Sequence, residues 1–79
     1  MFYVYILRSV NFDQTYVGYT KDLKTRFASH NAGRSQYTKK YKPWRIITYI
    51  AFDNEKKARL YEEYLKTGSG IAFTRRHLL

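Results

Sequence analysis

Residues 2–8 alternate without leaving a polar side. Phe2, Val4 and Ile6 fall on one face of an extended segment, and Tyr3, Tyr5 and Leu7 on the other. Apolar or aromatic side chains on both faces predict a strand covered from both sides. Asn11-Phe12-Asp13-Gln14 carries two turn formers, and a second β-type run, 15–19, follows it. Two such runs around a short polar turn predict a hairpin. Thr20 then reads as the N-cap of a helix over 21–32, with Gly33 as its C′ stop. Residues 34–43 read as a basic polar loop, and Trp44–Phe52, rich in Ile, Tyr and Thr, as a third strand. Asp53 or Asn54 caps a second helix over about 55–66 that Gly68 ends. Gly70 leads into a short last helix through Leu78. The predicted order, β-β-α-β-α-α, is one α/β (α+β) domain over residues 1–79, with no repeat or linker.

The helical periodicity puts polar groups where a core stripe belongs. Leu23, Arg26, Phe27 and His30 share one face of the first helix. Arg26 and His30 are either an edge arginine and an ordinary half-buried histidine, or a cation and a proton carrier projected together into a site. In the second helix Ala58, Leu60, Tyr61, Tyr64 and Leu65 form a wide apolar face bordered by Glu62 and Glu63. Glu63 can pair with Arg59 or Lys66 one turn away, as surface carboxylates commonly do. A magnesium ion needs only one or two protein carboxylates, so one glutamate suffices for such a site; spacing does not choose between them. Most of the nine tyrosines serve packing. Tyr5 and Tyr16 stand apart because they lie on neighbouring strands, where side chains meet across a sheet. Gly18, two residues beyond Tyr16, marks close approach of backbone or ligand.

Charge narrows the partners. Fifteen Lys and Arg against six Asp and Glu give a net charge of +9 over 79 residues, which calls for a polyanion, either nucleic acid or an anionic membrane face. Aliphatic and aromatic residues make up 44%, too many for a disordered basic tail. The absence of cysteine excludes a disulfide scaffold, a thiolate zinc finger and a cysteine nucleophile. The N-terminal apolar run is short and lacks a basic n-region, so the expected location is the cytoplasm. Arg34, Lys39, Lys40, Lys42 and Arg45, interleaved with Tyr37, Tyr41 and Trp44, suit phosphate contact and base stacking; Tyr41 and Trp44 read equally well as core. Arg75 and Arg76 extend the patch.

Tyr3-Val4-Tyr5, with Tyr16-Val17-Gly18 beginning eleven residues after Tyr5, resembles the paired motif of the GIY-YIG endonuclease family. Tyr16-Val17-Gly18-Tyr19-Thr20 runs into a helix carrying Arg26, and His30-Asn31 follows as in small stand-alone bacterial members. The stretch from Ala58 to Gly70 is similar to the family's glutamate helix and its "K-[ST]-G-x-G" ending. Tyr3 stands where the family name has glycine, and valine where it has isoleucine. Tyr19 takes the place where the related domain of the excision-repair incision subunit has lysine. The resemblance implies a three-stranded antiparallel sheet flanked by helices and a metal-dependent DNA endonuclease, acting in repair or recombination. It implies Tyr5, Tyr16, Arg26, His30 and Glu62 as catalytic residues, with Glu62 holding a single Mg2+ or Mn2+. A lowered tyrosine pKa is expected if a phenol is the base. The alternative is a non-catalytic module of the same fold that docks DNA or RNA. With either reading, a protein partner or a homodimer is open, and a membrane-surface role is the weakest.

Overall fold

The computed structural model describes residues 1–79. Three strands, β1 (Phe2–Ser9), β2 (Thr15–Thr20) and β3 (Trp44–Phe52), form one sheet in the order β2-β1-β3. Both pairings are antiparallel. Three helices follow the predicted order: α1 (Leu23–Asn31), α2 (Glu55–Leu65) and α3 (Gly68–His77). The central strand is the doubly apolar one, and Val4, Tyr5, Ile6 and Leu7 are all buried. On one face Val4 and Ile6 pack with Ala58 and Leu65, together with Phe73 of α3. On the other face Tyr5, Leu7 and Trp44 pack with Leu23 and Phe27 of α1. The pairing with β3 slips at Ile6/Leu7, so that Ile47 has no partner of its own and both Ile46 and Ile47 turn inward on opposite faces. Such a bulge lets one strand serve two cores. The outer edge of β3 carries no neighbouring strand.

The helix ends differ from expectation in instructive ways. Thr20 does not cap α1, because it is still in β2, opposite Tyr3. Its hydroxyl accepts from the Asp22 backbone N–H, and Asp22 then caps the helix by accepting from Thr25 N–H at 3.2 Å. Gly33 does take the left-handed conformation expected after α1, with φ 78°. The loop after it is not all irregular: residues 38–41 form a 3₁₀ turn. Asn54 caps α2 by accepting from Lys57 N–H at 3.0 Å. Gly68 begins α3 rather than ending α2, since Thr67 caps α3 by accepting from Gly70 N–H. Of the predicted apolar face of α2, Leu60 and Tyr64 remain exposed.

Candidate active site

Tyr5 reaches the site because β2 has a glycine opposite it. Tyr5 and Gly18 are cross-strand partners, and a Cβ on Gly18 would collide with the Tyr5 ring carbon Cζ and its hydroxyl. The ring lies over that gap, so the phenol extends across the neighbouring strand. There its oxygen is hydrogen-bonded to His30 Nε2 at 2.8 Å. His30, fully buried on α1, is held from behind by Thr38, whose Oγ1 lies 2.8 Å from Nδ1. A hydroxyl stands at each ring nitrogen, so the chain can run either way. Tyr5 O–H can donate to Nε2 while Nδ1–H donates to Thr38, or Thr38 O–H can donate to Nδ1 while Nε2–H donates to Tyr5. Tyr16 closes the group, its ring centroid 4.9 Å from that of His30 and 6.2 Å from that of Tyr5.

Arg26, one turn before His30, faces both phenols. Burial works against its charge, yet the oxygens of Tyr5 and Tyr16 beside it hold the guanidinium still more firmly protonated. The effect on the neighbours is unequal. Burial pushes the Tyr5 phenol up to about 12, outweighing the pull of Arg26, and the nearby Tyr16 and Glu62 add to the rise. The expected lowering of this tyrosine is therefore reversed in the isolated molecule. Burial first, and then the Arg26 charge, bring His30 down to about 4. At neutral pH the cluster holds one cation beside a neutral imidazole and a neutral phenol.

Glu62 approaches from α2, which packs on the opposite face of the sheet from α1. Its charge acts on Tyr5 from there, as the weakest of the influences on that phenol. Its side chain is 19% exposed and accepts from Lys66 Nζ at 3.0 Å. Glu63 is exposed and pairs with neither Arg59 nor Lys66; Arg59 instead meets Glu55. The donor suited to a magnesium or manganese ion here is the single Glu62 carboxylate. No cluster of three or more acidic, His or Cys side chains stands anywhere in the chain. One carboxylate fits an ion that otherwise takes water and phosphate oxygen, given that Lys66, 55% exposed and flexible, can swing away.

Arg34, Lys39, Lys40, Lys42 and Arg45 are all exposed, and none is in an ion pair. Trp44, named with the stacking residues, is instead buried, and its indole N–H donates to the Thr38 carbonyl at 2.8 Å. Tyr19 lies on the α2 face, donating to Glu55 at 2.8 Å under the Arg59 guanidinium, and is not among the clustered residues. Sequence reasoning missed Thr38 and Lys66. Lys66 was legible as an i+4 partner of Glu62. Thr38 had no signal, because its contact with His30 exists only once the 3₁₀ turn forms. Asn31, beside His30 in the sequence motif, has a structural task that the motif does not show. It clamps the end of α1 to the start of β3, accepting from Trp44 N–H at 2.6 Å and donating to the Trp44 carbonyl at 3.0 Å.

Comparison with known proteins gives four matches. A family profile described as the GIY-YIG catalytic domain matches residues 1–71. A UPF0213 protein of Streptococcus pyogenes serotype M3 is 42% identical over 66 residues, 81% of this chain and 70% of that protein. One of Lactococcus lactis subsp. cremoris is 39% identical over 66 residues, 81% of this chain and 65% of that protein. The solution NMR structure of a UPF0213 protein from Bacillus halodurans superimposes with a TM-score of 0.58 at 31% identity, covering 96% of this chain and 82% of that one.

Proposed function

This chain belongs to the GIY-YIG family, and from that premise we propose that it is a divalent-metal-dependent endonuclease that hydrolyses DNA phosphodiester bonds by in-line attack of water. The observation that carries the reading is the buried Tyr5–His30–Thr38 chain with Arg26 beside it. Burying a histidine and a tyrosine hydroxyl side by side costs stability relative to apolar packing. Their joint placement under a cation suits a site that moves a proton near a phosphate.

Arg26 donates two parallel hydrogen bonds to the phosphoryl oxygens as charge builds on them. A magnesium or manganese ion held at Glu62 would supply charge neutralisation at the phosphate and the leaving oxygen. Tyr5 and Tyr16 are the phenols beside Arg26, and of the two it is Tyr5 that bonds His30. At about 12, Tyr5 is not ionised at neutral pH and serves as a relay rather than as a stored base. It takes the proton of the water while giving its own to His30 Nε2. His30 at about 4 is a weak acceptor, held down partly by Arg26. A phosphate paired to Arg26 cancels that part, so substrate binding itself raises the proton affinity of His30. Thr38 holds Nδ1 through the exchange. Arg34, Lys39, Lys40, Lys42 and Arg45 track the flanking backbone.

The test is cleavage of single-stranded, duplex and branched DNA with and without magnesium, alongside Glu62→Ala, Arg26→Ala and Arg26→Lys. We expect magnesium-dependent cutting that both alanine variants abolish. Arg26→Lys should lose most activity, since a point charge does not replace the planar fork. Cutting that ignores magnesium, or survives Glu62→Ala, removes the mechanism. A folded protein that binds DNA tightly and cuts none of the panel is the binding module instead.

A further inference from the structure

A cleft of about 670 Å³ runs along the first half of β2, between the free edge of that strand and α3. Tyr16 lines it, but Tyr5, Arg26, His30 and Glu62 do not, so it adjoins the candidate active site without being part of it. Two groups of residues on its walls suit a nucleic-acid strand. Val17, Ile71 and Leu79 provide an apolar surface. Arg8, Lys66 and Arg75 provide cations above it. Arg8 is tied to Asp13 and Lys66 to Glu62, while Arg75 is exposed and in no ion pair. Asp13, the one acid of the lining, is already engaged by Arg8. At the mouth, Tyr37 is half-exposed with its ring centroid 6.1 Å from that of Tyr16.

We propose that this cleft receives the unpaired DNA strand that continues from the scissile phosphate, making DNA with a single-stranded flank the favoured substrate. The inference rests on the nuclease reading above and specifies its substrate. Duplex DNA presents phosphates to cations but hides its base faces, so an apolar wall beneath the cations has nothing to contact. An unpaired strand offers both, its phosphates to Arg75 and Lys66 and a base face to Tyr37. The volume lies within the range of about 300–1,000 Å³ that holds small ligands. Tyr16 belongs both to the cleft wall and to the cluster with Tyr5 and His30, so a strand in the cleft lies one ring away from that cluster.

The experiment uses the intact protein in a chelator, so that nothing is cut. Fluorescence anisotropy follows binding of a labelled oligothymidylate of about 12 nucleotides and of a blunt duplex of the same length. Arg75→Gln and Tyr37→Ala change exposed side chains, and circular dichroism confirms that each is folded. Each should weaken single-strand binding about fivefold or more and leave duplex binding within about twofold. Arg75→Gln should also flatten the dependence of log affinity on log salt by about 0.7 for the single strand. Lys40→Ala, outside the cleft, should weaken both DNAs alike. Equal weakening of both DNAs by the two cleft variants, or no weakening of the single strand, overturns the proposal. Because no metal is present, a protein that passes this test yet cuts no DNA retains the cleft and loses the nuclease reading.

Discussion

At the scale of single residues, His30 converts burial into a measurable dependence on acid. Its ordinary value is 6.5 and its folded value about 4. Between those two the unfolded chain binds a proton that the native chain refuses, so the stabilisation is complete above 6.5 and is lost as pH falls toward 4. The loss should amount to about 2–3 kcal/mol, read as a fall in thermal midpoint, and His30→Gln should flatten the pH 5–6.5 part, where few carboxylates titrate. Gly18 offers a second test. Gly18→Ala drives a methyl into the Tyr5 phenol, so we expect about 1–3 kcal/mol of destabilisation from overpacking. The displaced phenol should cost cleavage on the order of 10²-fold, more than the stability change explains. The side chains of this cluster were legible in the sequence as residue types at helical and cross-strand spacing. Its protonation state was not, because burial is a property of the assembled layers. The lowered pKa that a tyrosine base would need is not found at Tyr5, which burial pushes up instead.

At the scale of elements, strands and helices followed from periodicity, while the errors fell at joints. The doubly apolar pattern of residues 2–8 identified the central strand, and Trp44–Phe52 was read to its residue limits. Thr20 and Asp22 are both good caps, and only cross-strand pairing with Tyr3 decides that Thr20 stays in the sheet. Gly68 looked like a helix stop because glycine often is one, but Thr67 starts α3 there. The joint that matters most for the site is Asn31, which fixes the end of α1, and with it His30, to β3. Asn31→Ala leaves the Trp44 N–H without its acceptor. It should cost about 1–3 kcal/mol, lowering the melting temperature by roughly 5–15 °C in a domain of this size. His30 would then lose its anchor, so cleavage measured well below the new midpoint should fall as well.

At the scale of the whole molecule, the sheet separates two environments that the candidate chemistry draws on together. Tyr5, Arg26 and His30 lie on the α1 face and Glu62 belongs to α2 on the other, so the Glu62 charge acts on Tyr5 from across the sheet. No single-element pattern contains that convergence. The charge is equally collective: in the proposed function four unpaired cations between α1 and β3, with Arg45 on β3, act on a phosphate backbone together. Neutralising Arg34, Lys39, Lys40, Lys42 and Arg45 should flatten the log–log salt dependence of duplex binding by roughly 4, as expected for about 0.9 per contact; an unchanged slope would assign DNA contact to other surfaces. The opposite side of the sheet has its own consequence. β3 ends in Thr48-Tyr49-Ile50-Ala51-Phe52, a charge-free run with Tyr49 and Ile50 exposed and an unclaimed row of amide and carbonyl groups. Such a border is sticky toward its own kind. In concentrated stocks, mutual repulsion between highly cationic molecules is what keeps these borders apart, so buffers that screen it invite ribbons and precipitate. Low ionic strength is therefore the safer storage condition, even though it is also where DNA is gripped hardest.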